Sequence, residues 1–244
     1  MRLAVVGKGG SGKTTLTGTM ARLLARRGRN VLAVDLDTNP GLAYTIGIPP
    51  TDEGLPDEAV EQSDDRRRAP YGWALSAGVT PAEAVRRYTL VGPDGVRFLS
   101  PGKIDQEKQR VQRSIGAVHQ IVRGFDEPGW DVLGDLEAGT TTPLEGYTAF
   151  AERVLLVITP GWTSGLTARR LRPILGDVPT MVVGSRFSNG AHPDLTPEFH
   201  IPYDERVAEA DQLGRAPLDH CPDSPAVRAI EALVDRLLAE EART

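Results

Sequence analysis

Residues 7–15 read Gly7-Lys8-Gly9-Gly10-Ser11-Gly12-Lys13-Thr14-Thr15, a complete G-x-x-x-x-G-K-[ST] phosphate-binding loop with a second lysine near its start. Glycines let such a backbone fold into a nest whose amides all point at one anion. Lys13 is then placed to reach the β- and γ-phosphates of a nucleotide, and the Thr14 hydroxyl to ligate Mg²⁺. The helix that follows turns its positive dipole end toward the same phosphates.

Such a string needs its context. Upstream, Leu3-Ala4-Val5-Val6 is a short apolar run of the kind a buried parallel strand shows. Downstream, Thr15 to Arg27 reads as a helix, with Leu16, Met20, Leu23 and Leu24 at helical spacing and Gly28 as its stop. Strand, loop and helix stand in the required order.

The rest of the chain continues the pattern. Asn30 to Asp35, Asp131 to Asp135, Val154 to Ile158 and Thr180 to Val183 are continuous apolar runs, so both faces of the sheet they form should be covered. Helices are expected over Gln106–Arg123, Ser164–Leu175 and Pro225–Glu241. The alternation predicts an α/β fold with a doubly wound, mostly parallel sheet and helices on both faces. Residues 1–244 are expected to form one domain, with residues 50–100 as an elaboration. Within that stretch, Pro49 to Asp65 reads as a mobile surface segment. Thr80-Pro81-Ala82-Glu83 is a capping box that should open a helix running to Tyr88. Pro93-Asp94-Gly95 should turn between the extended pieces Thr89–Val91 and Val96–Leu99.

Composition narrows the classes of function. The 244 residues are 40% hydrophobic and 25% charged, with a formal net charge of −5, which disfavours an electrostatic grip on nucleic acid. Two of the four lysines, Lys8 and Lys13, sit in the phosphate loop; Arg66-Arg67-Arg68 follows Asp64 and Asp65 and reads as a solvated loop. No run approaches the ~20 apolar residues of a bilayer span, and no leader precedes the first strand, so a cytoplasmic protein that does not enter membranes is expected. Cys221 is the single cysteine, so an intrachain disulfide is impossible. It reads as a buried structural residue. His119, His192 and His200 are scattered and read as surface or packed residues.

Acidic residues at strand ends complete the chemistry. Asp135 closes an apolar strand, where an α/β sheet presents groups to a ligand, and its carboxylate could hold the metal's water shell or cap the next turn. Gly139, four residues on, is placed to offer its amide to the γ-phosphate and so to sense hydrolysis. Asp37, after the second strand, could orient the attacking water and reach the metal. The alternative for Asp35 and Asp37 is a pair of turn-forming aspartates. Lys8 cannot easily curl back onto its own loop's phosphates, so it is better used across a two-fold axis, on a second subunit's nucleotide, the alternative being a merely solvated side chain.

The loop from Lys8 to Thr15 resembles the deviant phosphate loop of the MinD/ParA/nitrogenase iron protein superfamily. Val34-Asp35-Leu36-Asp37-Thr38-Asn39-Pro40 resembles its first switch and Asp135-Leu136-Glu137-Ala138-Gly139 its second. Within it, the carbon monoxide dehydrogenase maturation ATPases are most similar. They share the run written here Ile201-Pro202-Tyr203-Asp204, then Glu209-Ala210-Asp211 and Asp223-Ser224-Pro225-Ala226-Val227. The resemblance implies ATP-driven homodimerisation with Mg²⁺, Lys8 touching the partner's phosphates. It also implies nucleotide contacts along Gly9, Gly10, Ser11, Gly12, Lys13, Thr14 and Thr15 and at Gly139. Asp37 would position water, Thr14 and Asp135 would support Mg²⁺, Arg186 and Asp204 would touch the nucleotide, and Ser185 and the Pro202-Tyr203 loop would lie against the adenine.

Two departures bear on use. The maturation ATPases carry a Cys-x-Cys pair expected between Gly102 and Gln109; here that stretch has no cysteine, so no thiolate-bridged metal is available. Asp105 and Glu107 in it read as a solvated helix start. Ser185 stands where the family usually has asparagine, which leaves more of the base recognition to Pro202 and nearby backbone. The expected activity is Mg²⁺-dependent ATP hydrolysis, slow and stimulated by a protein client, by an accessory factor for cofactor or metalloenzyme assembly. A positioning or partition ATPase, and a nucleotide-binding regulator with little hydrolysis, remain the alternatives. The final helix is amphipathic but ends Glu240-Glu241, so it should dock on its own sheet rather than on lipid.

Overall fold

The computed structural model describes residues 1–37, 41–65, 69, 72–102, 108–187 and 195–243. Strand β1 (Arg2–Gly7) leads through the phosphate loop into helix α1 (Lys13–Arg26), followed by β2 (Asn30–Leu36) and the short α2 (Leu42–Ile46). The middle of the chain gives β3 (Val60–Gln62), β4 (Trp73–Leu75), α3 (Pro81–Tyr88), β5 (Leu90–Val91) and β6 (Arg97–Leu99). Then come α4 (Lys108–Gly124), β7 (Trp130–Leu136), α5 (Thr141–Leu144), β8 (Arg153–Ile158) and α6 (Trp162–Leu175). The chain closes with β9 (Thr180–Ser185), β10 (Phe199–Ile201), α7 (Glu205–Gln212), α8 (Pro217–His220) and α9 (Pro225–Glu241).

Eight strands form one sheet in the order β10-β9-β8-β1-β7-β2-β6-β5, parallel throughout except at β5. The side-chain period of two sends alternate residues of each strand into opposite cores. Leu3 and Val5 of β1 pack with Leu16, Met20 and Leu24 of α1 and with Val227, Ile230 and Leu233 of α9. Ala4 and Val6 pack on the other side, with Val118 and Ile121 of α4 and Leu171 of α6. Helices on both faces explain why these strands read as unbroken apolar runs. The apolar stripe of α9 is buried in this way, as the sequence suggests.

α1 is tied down by a buried charge. The Arg22 guanidinium donates to Asp94 and to Asp219, each at 2.6 Å, and to the Ile46 carbonyl at 3.3 Å. One side chain thus joins α1 to the turn before β6, to α8 and to α2.

The capping box is present: Thr80 Oγ1 accepts from the Glu83 amide at 3.2 Å, and Glu83 accepts from the Thr80 amide at 2.9 Å. β5 and β6 flank the expected turn and extend the main sheet beside β2. The segment from Pro49 to Asp65 differs from its reading as mere surface. Leu55, Ala59 and Val60 are buried with Leu75 in the core that α4 covers, and β3 pairs antiparallel with β4. Arg66 to Arg68, His192, Asp105 and Glu107 lie outside the described residues, as do Thr38 to Pro40 of the first switch stretch. Among the described residues no helix is long and apolar enough to cross a membrane.

Candidate functional site

The phosphate loop opens at the carboxyl ends of the central strands. Its shape depends on glycine: Gly12, the residue before α1, has φ +90°, and Gly7 lies so close to β8 that a Cβ would come within 2.3 Å of the Val157 carbonyl oxygen. No side chain caps α1, and no acidic residue occupies its first turn, so its leading amides face the loop without a protein carboxylate. Lys13 is buried at the head of the helix, and its ammonium donates a long hydrogen bond, 3.4 Å, to the Lys8 carbonyl. Burial lowers its pKa, while the charges of Asp135 and Asp37 oppose that shift. The Lys8 side chain is exposed.

Behind Lys13 stand two buried carboxylates. β2 and β7 run in register so that Asp35 and Asp135 are direct neighbours across the ladder. Asp35 accepts from the amides of Asp37, Gly41 and Leu42 at 3.1, 3.0 and 2.8 Å. It therefore organises the segment that leaves β2, which is the turn-forming role, while Asp37 is half-buried and electrostatically close to Lys13 and Asp135. Asp135 is hydrogen-bonded by the Thr14 side chain, yet its Oδ1 is buried without a partner. Burial first, and the Asp35 charge second, push its carboxyl up to about 8; burial pushes Asp35 up to about 6.

An orphaned carboxylate oxygen beside a phosphate-loop threonine is a donor set that fits Mg²⁺, which favours one or two carboxylates plus phosphate oxygens over an all-protein cage. Among the described residues no group of three or more His, Cys, Asp or Glu could hold a metal ion by itself. Thr14 and Asp135 are the residues that would hold it.

Gly139 is engaged differently from the expectation. Its amide donates to the Gly7 carbonyl at 3.2 Å, so in this arrangement it is not free for a γ-phosphate.

At the other end, Arg186 has φ +62° and donates its amide to the Ile201 carbonyl at 2.9 Å, drawing the ends of β9 and β10 together. Ser185 Oγ lies 3.2 Å from where a Cβ on Gly12 would be, so it backs the phosphate loop directly. Asp204 caps α7 by accepting from the Arg206 amide at 3.0 Å, and its Oδ2 is buried without a partner. Tyr203 is exposed. A cavity of about 240 Å³ joins the two ends. Its wall includes Gly10, Gly12, Lys13, Thr14 and Thr15 from the loop, and Ser185, Arg186, Pro202, Tyr203 and Asp204 from the far side. Gly9, Ser11, Asp37, Asp135 and Gly139 stand around the cavity rather than in its wall. Tyr44 and Asp211, which the sequence reading did not single out as ligands, do line it. Of the remaining polar residues, Cys221 is buried, His119 stacks on Tyr147, and His200 meets Phe187 edge-on.

Comparison with known proteins identifies the family. The CobQ/CobB/MinD/ParA nucleotide binding domain matches residues 3–218. The chain is 26% identical over 245 residues to the carbon monoxide dehydrogenase accessory protein CooC of Rhodospirillum rubrum, with 91% of each chain covered. It is 24% identical to an ATP-binding protein of Methanocaldococcus jannaschii, with 98% of each covered. Among solved structures, the septum site-determining protein MinD of Pyrococcus horikoshii, complexed with Mg-ADP, matches with a TM-score of 0.72 at 18% identity, over 97% of this chain and 95% of that one. The chain belongs to the CobQ/CobB/MinD/ParA nucleotide-binding family of phosphate-loop proteins.

Proposed function

We propose that this chain is a Mg²⁺-dependent ATPase that alternates between an open form and a nucleotide-closed homodimer. The observation that carries the reading is the single cavity running from the uncapped amides of the phosphate loop to the Pro202–Asp204 loop. Its lining suits a nucleoside triphosphate: charge at one end, an aromatic-flanked slot at the other. Lys13 neutralises the phosphate end, and Asp37 orients the attacking water. Exposed Lys8 supplies positive charge to a second subunit's nucleotide. Mg²⁺, when bound at Thr14 and Asp135, would neutralise charge developing on the phosphate oxygens. Loss of the γ-phosphate then removes the contacts that favour the closed form, and the equilibrium shifts back.

Similarity to a carbon monoxide dehydrogenase accessory protein along 91% of the chain supports service as an accessory factor in cofactor or metalloenzyme assembly. The absence of cysteine between Gly102 and Gln109 means that any metal handling would not use bridging thiolates there. The apolar face of α9 is buried against α1 and the sheet, so that helix is not available to lie on lipid. Calorimetry with a non-hydrolysable ATP analogue and Mg²⁺, followed by light scattering, tests the reading. One nucleotide per chain and a doubled mass are expected, with Lys13→Ala abolishing the heat. No heat from the unaltered protein would sink it. ATP-dependent pelleting with liposomes or retention on DNA would replace the accessory role with positioning.

A further inference from the structure

Two walls of the nucleotide cavity are joined to each other. The Tyr44 hydroxyl donates to Asp211 Oδ1 at 2.5 Å, across 167 positions of sequence, and both side chains line the cavity. Asp211 lies near the end of α7, seven residues past the Asp204 that caps that helix, hence about 10 Å along its axis from the base end of the cavity. Tyr44 belongs to α2, on the phosphate side. A Cβ on Gly41 would stand 3.5 Å from the Tyr44 ring and 3.7 Å from the Thr14 methyl, and Thr45 donates to the Thr14 carbonyl at 3.3 Å. The Gly41 and Leu42 amides that open α2 are held by Asp35. Burial, then the Asp211 carboxylate, hold the Tyr44 phenol well above its ordinary range, so it remains a donor throughout the pH range in which the protein would work.

We propose that the Tyr44–Asp211 hydrogen bond is a strap closed over the nucleotide cavity, which retains bound nucleotide and ties its release to the position of α2. The inference rests on the nucleotide-binding reading above. A ligand reaching from Thr14 to Pro202 lies between the two walls that the strap joins, so exchange requires the bond to break or α2 to swing away. Tyr44 and Asp211 are positioning residues in this scheme; neither is assigned to the chemistry.

The test is a chase. Unaltered protein, Tyr44→Phe, Asp211→Asn and the double variant are loaded with radiolabelled ADP and Mg²⁺, diluted into unlabelled ADP, and retained label is followed. Each single variant should release ADP about tenfold faster, as expected for loss of one charge-assisted hydrogen bond. The double variant should be no faster than either single, because the second change removes nothing further. Amide exchange over residues 41–46 should slow on ADP binding in the unaltered protein and not in Tyr44→Phe. Unchanged release from Tyr44→Phe overturns the strap. So does faster release matched by an equal loss of stability without nucleotide, which would make the bond a packing contact. If the unaltered protein retains no label under conditions where it is folded, the nucleotide reading itself fails, and the strap with it.

Discussion

Gly139 donates its amide to the carbonyl of Gly7 at 3.2 Å, so the loop leaving β7 lies on the first residue of the phosphate loop. A Cβ on neighbouring Gly9 would meet that of Ala138 at 3.6 Å, which makes the contact close on both sides. For Gly139 to serve a γ-phosphate, this hydrogen bond has to be exchanged for one to the ligand. The Gly7 carbonyl and a γ-phosphate would thereby compete for the same amide.

Gly139 also has φ +107°, with nothing within 4 Å of where a Cβ would be, so a side chain there is opposed by backbone strain and not by a clash. Gly139→Ala should lower stability by about 1–3 kcal/mol, the usual strain of such a position. It should depress ATP hydrolysis far more than ATP affinity. Thermal melts and a coupled phosphate assay on the same preparation check this; equal losses in affinity and turnover would contradict it.

Asp37→Ala should cut hydrolysis by roughly 10²–10⁴-fold, the usual contribution of a positioned proton acceptor. Binding should persist, so the variant should accumulate as an ATP-bound dimer on size exclusion. Normal turnover would return Asp37 to a turn-forming role beside Asp35.

Lys8→Ala is expected to separate binding from association. The side chain is exposed and outside the cavity wall, so calorimetry should still register nucleotide. The mass should stay that of one chain when analogue and Mg²⁺ are added. A dimer from this variant would remove the role across the two-fold axis.

Acid should stabilise the nucleotide-free protein. Asp135 is pushed up to about 8 and Asp35 to about 6, both above the ordinary 3.8 that they regain on unfolding. Between about pH 4 and about pH 8 these two groups hold more protons in the folded chain, so their contribution to stability falls as pH rises through that window. Melting temperature without nucleotide should therefore drop between pH values of about 6 and about 8, and Asp135→Asn should flatten that drop. Mg²⁺ with ADP should reduce the slope as well, because a cation beside Asp135 favours its charged form. A melting temperature that rises across this range would show that Asp135 is ionised in the folded state.

The parts of the molecule legible in its sequence are those fixed by neighbours along the chain. The phosphate loop declares itself because glycines, Lys13 and Thr14 are contiguous, and the strand and helix around it have opposite periodicities. The helix from Pro81 to Tyr88 is legible for the same reason: Thr80 and Glu83 cap each other three residues apart. The segment around Leu55 to Val60 is not, because its burial depends on α4 and on a strand partner beyond a stretch rich in charge. Asp35 and Asp37 look equivalent in sequence. Only the register of β2 against β7, and the return of Gly41 and Leu42, show that Asp35 is the carboxylate that accepts the amides opening α2. Tyr44 and Asp211 meet through the fold alone.

The guanidinium of Arg22 gives this machine its stationary jaw. Any slide of α1 along the sheet would strip the buried Arg22 of two partly exposed carboxylates at once, leaving a buried cation unpaired. Lys13 and Thr14 ride on that anchored helix, so the proposed nucleotide cycle would leave them in place. An engineer could therefore rebuild the outer edge of the sheet, well beyond Asp94, without retuning where the phosphates sit.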